Sequence, residues 1–202
     1  MQFRLAMTED IGQLTALIRS ANNTSLLSRL GTRFVSKYLL PDLIQDSAAR
    51  LFVAEEKDNI AGYVVFVMPN EALTVILVRR KWSILLSMLQ NPRRAPRIIC
   101  DIFLHAFFAL YHLEIERKTL HGVSRLVLMG IKPGFQSQGI GKRLLDYCFR
   151  SEPGLQKAPV LVDTDTQRAA AFYEVNGFKR IGWEPRFCYK NLILLRGELG
   201  SV

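Results

Sequence analysis

The stretch that most constrains this chain runs from Leu126 to Leu145. An apolar strand, Leu126 to Ile131, enters a turn that holds Gly139 and Gly141 and passes straight into a helical pattern from about Ile140 to Arg150. The first amides of a helix have no partner within it, so several N–H groups converge where such a turn meets the helix start. That arrangement binds phosphate. Without side chains at Gly139 and Gly141 the diphosphate of a nucleotide-type cofactor can approach the backbone, and the helix dipole with Lys142 or Arg143 favours its charge. An ordinary tight turn before a helix could carry the same two glycines. The spacing excludes two other phosphate motifs. No glycine precedes Gly139 as the dinucleotide fingerprint requires, and no Lys-Ser or Lys-Thr pair follows the glycines as in a P-loop.

Around this unit the pattern predicts a mixed α/β (α+β) sheet. Phe3 to Ala6 reads as a strand, Thr8 as the N-cap of a helix with Asp10 favouring its dipole, and Ile11, Leu14, Leu17 and Ile18 recur at helical spacing. A second helix is expected over about Thr32 to Leu40, stopped by Pro41. Arg50 to Glu55 and Ile60 to Met68 read as antiparallel strands around a Lys57-Asp58-Asn59 turn. From about 70 to 118 the pattern turns helical, with pieces over Trp82 to Leu89 and Ile98 to Leu113, and reads as an insertion between strands three and four. After strand four come a fifth strand at Pro159 to Val162, a helix over Gln167 to Val175, and two paired strands, Phe178 to Gly182 and Phe187 to Leu195. Strands four and five, joined through a helix, are expected to be locally parallel. The 202 residues, 49% of them apolar, suit a single domain over 1–202.

The string Ile131-x-Pro133-x-x-Gln136-x-x-Gly139-x-Gly141 resembles the acyl-CoA signature of the GCN5-related N-acetyltransferases (GNAT), whose core is Q/R-x-x-G-x-G/A. Downstream, Ala169-Ala170-Ala171-Phe172-Tyr173-Glu174-Val175-Asn176-Gly177-Phe178 resembles that family's A-x-x-x-Y-x-x-x-G-F segment, and Gly177 suits a left-handed helix stop. Phe3 to Ile18 and Ile60 to Val67 look like the family's opening strand-helix and third strand, so the resemblance spans most of the chain, with its specificity in 126–178. It implies acetyl-CoA as co-substrate. In the first segment the cofactor contacts would come from Met129, Gly130, Ile131, Gln136, Ser137, Gln138, Gly139, Ile140, Gly141, Lys142 and Arg143; in the second, from Thr166, Ala169 and Phe172. It also implies that the Tyr173 hydroxyl sits near the CoA sulfur and protonates the leaving thiolate. A packing tyrosine is the plainer reading of Tyr173 taken alone. Three departures stand out. Thr166 replaces the Asn usual seven residues before the tyrosine, the frequent strand-four glutamate has no counterpart among Arg125, Val127 and Met129, and the 70–118 stretch exceeds the usual connection.

Amide formation from a thioester needs an uncharged amine, a polarised carbonyl and a proton for the departing sulfur. The expectation is direct attack in a ternary complex on a primary amine of a small molecule, with the amide of Gly130 or Ile131 facing the carbonyl. A free strand amide requires a splay or bulge, which Gly130 and Pro133 make easier. Candidate bases are His121, Asp163 and Asp165, with bulk water as the alternative, although Asp165 or Thr166 also fits the cap of the next helix. Two rival readings are a non-catalytic acyl-CoA sensor and an acetyltransferase acting on a protein or peptide amine.

Other features narrow the partners. Twenty-seven Lys and Arg against 18 Asp and Glu give a net charge of +9, which favours anionic partners. A polyanionic acyl donor accounts for part of this, and with the aromatics in apolar runs and no reader motif a nucleic-acid partner is not expected. Arg79-Arg80-Lys81 and Arg93, Arg94 and Arg97 bracket an apolar piece of the insertion. Packing as a lid or homodimer interface accounts for it better than contact with a membrane surface. Three widely spaced cysteines, including Cys148 on an apolar helix face, imply core thiols and no disulfides. His105 and His112 share a face without further ligands, and no metal is expected. Without a signal-peptide pattern or an apolar run of about 20 residues, a cytoplasmic protein is expected.

Overall fold

The computed structural model describes residues 1–21, 32–68, 123–186 and 189–197. The 70–118 insertion with its two expected helices, His105, His112, His121, Cys100 and Cys188 lie outside the described residues. The strands are β1 (Gln2–Leu5), β2 (Ala49–Glu56), β3 (Asn59–Val67), β4 (Ser124–Ile131), β5 (Val160–Thr164), β6 (Lys179–Arg186) and β7 (Tyr189–Arg196). The helices are α1 (Ile11–Ala21), α2, formed by the consecutive pieces Thr32–Phe34, Val35–Leu39 and Leu40–Gln45, α3 (Ile140–Ser151), α4 (Pro153–Lys157) and α5 (Gln167–Val175). They build one seven-stranded sheet in the order β1-β2-β3-β4-β5-β7-β6. The β4–β5 pair is parallel and the other pairs are antiparallel, as the strand-turn-helix-strand pattern predicts.

Each sheet face carries its own core. Leu14, Leu17 and Ile18 of α1 and Phe34, Leu39 and Leu43 of α2 pack on Leu51, Val53, Tyr63, Val65 and Leu128. On the opposite face Leu144, Leu145 and Cys148 of α3 and Ala170 and Tyr173 of α5 pack on Phe52, Val64, Phe66, Leu126, Val160, Val162 and Leu194. Cys148 is fully buried, and burial pushes its thiol well up from its ordinary value, which suits packing and not nucleophilic chemistry.

The N-terminal turn differs from the sequence expectation. Thr8 begins a short 3-10 turn (Thr8–Asp10) whose cap is Met7, not Thr8. Asp10 reaches back instead: its carboxylate accepts the Met7 N–H at 2.7 Å and two hydrogen bonds from Arg4 at 2.7 and 2.9 Å. The Arg4 Nε also bonds Glu55 on β2 at 2.7 Å, so one buried carboxylate ties strand, turn and helix together.

Pro41 does not stop α2. Proline lacks an amide donor and collides with the carbonyl four residues back in a regular α-helix. Here the preceding turn is a π-turn, with the Leu40 N–H reaching the Val35 carbonyl, and this wider ladder lets the chain continue helical to Gln45. The β2–β3 turn closes on Lys57 and Asp58 alone. Both take left-handed φ values, 48° and 60°, which suit the twist of a two-residue hairpin, and Asn59 joins β3. Gln13 clamps α1 to this hairpin, donating to the Asp58 carbonyl at 3.0 Å and accepting the Ile60 N–H at 2.9 Å.

Candidate active site

The sheet opens at one residue. β4 and β5 pair only from Ser124 with Val160 to Leu126 with Val162. On the other side of β4 the register with β3 slips so that Val65 faces Leu128 and Phe66 faces Leu126, leaving Val127 as a one-residue bulge. Bulge and splay start together at Val127, three residues before the Gly130 site expected from sequence.

Beyond the bulge the strand amides divide. Lys132 N–H donates to the Ala61 carbonyl at 2.8 Å, and Gly130 pairs with Tyr63. Because hydrogen-bonded and open pairs alternate in an antiparallel ladder, the amides of Leu128 and Gly130 turn toward β3 while those of Met129 and Ile131 turn toward the splay. The Ile131 carbonyl confirms that direction by accepting the Gln136 side-chain amide at 3.1 Å. Of the two amides expected to face a thioester, Gly130's is therefore turned away and Ile131's is not.

The turn between β4 and α3 is braced from within. Gln138 donates to the Gly134 carbonyl at 2.7 Å, and Gly134, Ser137 and Gly139 take φ values of 90°, 62° and 73°. Gly139 caps α3 in the left-handed region with no side-chain cap, and the first intrahelical bond runs from Arg143 N–H to its carbonyl at 3.1 Å. The amides of Ile140, Gly141 and Lys142 precede that bond, the donor set an anion requires. Lys142 leans on Asp146 at 2.8 Å in an exposed ion pair, too weak to hold it from a polyanion. Arg143 is exposed beside it.

Gly141 joins the two sequence segments. A Cβ placed there would lie 3.2 Å from both Met129 Cε and Phe172 Cζ, so β4, α3 and α5 meet at this glycine. The side chain of Thr166 caps α5 by accepting the Ala169 N–H at 3.2 Å, so of the two cap candidates Thr166 takes the place. Gly177, at φ 89°, ends α5, with Phe178 N–H returning to the Tyr173 carbonyl at 3.1 Å.

Tyr173 is buried, its ring edge-on to Phe172 and Phe178 with centroids 5.3 and 5.4 Å apart. Burial, and secondarily the negative charge of Asp163, push its hydroxyl above its ordinary value, so it stays protonated as a donor. Asp163, at the end of β5, accepts a 2.8 Å hydrogen bond from Asn191 of β7. Asp165 is exposed. Among the described residues no group of three His, Cys, Asp or Glu is gathered, and no helix is long and apolar enough to cross a membrane.

Residues 104–180 match the sequence model of the acetyltransferase (GNAT) domain. That stretch is similar to a GNAT domain, and the chain as a whole has the GNAT fold. Solved structures share its fold along nearly their whole length. PaiA N-acetyltransferase from Thermoplasma acidophilum, in complex with coenzyme A, aligns with a TM-score of 0.61 at 14% identity, covering 98% of each chain. An N-acetyltransferase from Staphylococcus aureus Mu50 aligns at 0.58 and 15%, covering 96% of this chain and 100% of its own. The ribosomal-protein-S18-alanine N-acetyltransferase from Escherichia coli aligns at 0.57 and 13%, covering 96% and 92%. No curated protein sequence matches significantly.

Within the GNAT fold, Met129, Gly141 and Phe172 meet where β4, α3 and α5 converge, Tyr173 packs on Phe172, and Ile131 and Gly139 stand at the end of β4 and the start of α3. The side chains of Gln136, Gln138 and Thr166 are engaged with their own backbone. Sequence reasoning missed Val127, which carries no glycine signal, and Asn191. The signal for Asn191 was a strand-averse amide at the head of the apolar run Leu192 to Leu195.

Proposed function

We propose that this chain transfers an acetyl group from acetyl-CoA to a primary amine of a small molecule by direct attack in a ternary complex. The observation that carries this reading is the coincidence, at one end of β4, of strand amides turned into the splay and helix amides at the start of α3. The diphosphate of CoA fits the Gly139 to Lys142 amides, with Lys142 and Arg143 adding charge. The pantetheine then leads toward Met129 and Phe172, and the Ile131 amide faces the thioester carbonyl.

The amine nitrogen bonds to the acetyl carbon, and the C–S bond breaks with its electron pair passing to sulfur. Tyr173 gives its proton to that sulfur. An ammonium acceptor loses two protons on becoming an amide, one restoring Tyr173 and one passing to solvent. No metal enters this chemistry. Alignment of GNAT structures along 96% or more of the chain supports reading 1–202 as one domain, and an acetyl-CoA-dependent enzyme whose Cys148 is a free, buried thiol fits the cytoplasm.

The missing strand-four glutamate favours a second reading, an acyl-CoA sensor without turnover. A peptide amine is a further acceptor class, since proteins named as ribosomal-protein-alanine acetyltransferases share the fold. A thiol-release screen with acetyl-CoA against small amines and short peptides separates these. Free CoA released with a small amine is expected; binding of acetyl-CoA without release for any acceptor contradicts transfer and leaves the sensor.

A further inference from the structure

Asp163 occupies a particular place in the sheet. The last β4–β5 pair is Leu126 with Val162, so Asp163 is the first β5 residue past the pairing, level with the Val127 bulge. Side chains alternate along a strand. Val160 and Val162 sit in the core under α3 and α5, whereas Leu161 belongs with Val123, Ile193 and Leu195 on the other face. Asp163 shares Leu161's face, and so does Asn191 of β7, two residues from Ile193.

Asn191 is 8% exposed, while the carboxylate it holds at 2.8 Å is on the surface. Burying an amide is costly unless it is hydrogen-bonded, and an exposed carboxylate needs no partner to be solvated. The buried amide therefore fixes the direction of a surface charge, at the mouth of the splay and on the face opposite the α3–α5 cofactor cradle. If CoA comes from the α3–α5 side, an acceptor meets the thioester from the face that carries Asp163. At neutral pH a primary alkylamine arrives as an ammonium ion, and β4 offers it no carboxylate, since Arg125, Val127 and Met129 stand where one would sit. The negative charge of Asp163 also bears on the Tyr173 hydroxyl, which places it near the expected proton donor.

On the acetyl-transfer reading above, we infer that Asp163 anchors the ammonium group of a cationic primary-amine acceptor and that Asn191 is the positioning residue that orients it. Neutral nucleophiles gain nothing from this anchor. The discriminating quantity is the ratio of kcat/KM for n-butylamine or 1,4-diaminobutane to that for hydroxylamine, which is uncharged at neutral pH.

Asp163→Asn removes the charge and Asn191→Leu removes the brace at similar volume. Both are expected to lower that ratio about tenfold, through the KM for the cationic amine. The calorimetric affinity for CoA and the melting temperature report whether cofactor site and fold are kept. A general folding defect lowers both numerator and denominator and leaves the ratio unmoved. An unchanged ratio in both variants overturns the inference, as does a wild-type chain that acetylates hydroxylamine but neither cationic amine. A chain that binds no acetyl-CoA, or acetylates nothing, overturns the function beneath it as well.

Discussion

Gly141 of α3 and Phe172 of α5 lie so close that a Cβ on the glycine would stand 3.2 Å from the phenylalanine Cζ. This contact holds the two segments that carry the GNAT resemblance in one piece. It also gives Gly141 a packing duty that the phosphate reading alone would not require, because Met129 Cε presses on the same point.

Substitution at Gly141 should therefore depend on size. Alanine in a helix gains about 0.5–1 kcal/mol over glycine, which roughly offsets the displacement of Met129 Cε and the Phe172 ring by a few tenths of an ångström. Gly141→Ala is expected to unfold in urea close to the wild-type midpoint. Gly141→Val adds two methyl groups to the same gap and should cost about 1–3 kcal/mol. A valine variant as stable as the wild type would mean that the cradle is loosely packed.

Tyr173→Phe should keep the fold, since the hydroxyl has no hydrogen bond among the described residues and the ring contacts survive. Loss of a general acid lowers turnover by about 10²–10⁴, so kcat should fall by at least the lower figure while the affinity for acetyl-CoA stays within about twofold. The pH profile adds a second check. The tyrosine is raised above its ordinary value of about 10, so its donor form persists through that pH and activity should show no alkaline loss there. Equal turnover in both proteins would take Tyr173 out of the mechanism.

Acid stability should report on the Asp10 carboxylate. Hydrogen bonds from Arg4, and then from the Met7 amide, hold it below its usual range in the folded chain, against the opposing effect of burial. Between the two values the unfolded chain binds more protons, so stability rises with pH there. The stabilisation is present above the ordinary aspartate value of about 3.9 and is lost as pH falls below it, toward the lower folded value. Asp10→Ala should lower stability at neutral pH by about 1–3 kcal/mol and flatten the dependence below about pH 4. Urea midpoints from acid to neutral pH measure this. Parallel curves for the two proteins would remove Asp10 from the acid response.

The legible part of the fold was the part governed by local rules. Runs rich in β-branched and aromatic residues placed β2 and β3, the glycine turn placed α3, and Gly177 ended α5, each within a residue or two. Where a side-chain network or an irregular turn decided the outcome, simple local rules misplaced it. Thr8 reads as a cap until Arg4, itself held by Glu55 of β2, binds the Asp10 carboxylate. Pro41 reads as a stop until the π-turn at Val35–Leu39 absorbs it. In the candidate site the glycines and Tyr173 were visible because their residue types are unusual at those spacings. The bulge at Val127 was not, because it arises from the register of β3 against β4 and not from any residue that prefers a bulge.

Coenzyme A binding at the α3 turn tests the central claim most directly. Gly139 takes φ 73° with open space around it, so a valine there is strained by its backbone and not by a clash. Calorimetric titration with CoA should show one saturable site per chain, weakened by salt and weakened about tenfold or more in Gly139→Val, with Gly139→Asn falling between because asparagine tolerates the left-handed region. No heat of association with CoA or acetyl-CoA, or an affinity unmoved by Gly139→Val, would contradict the account.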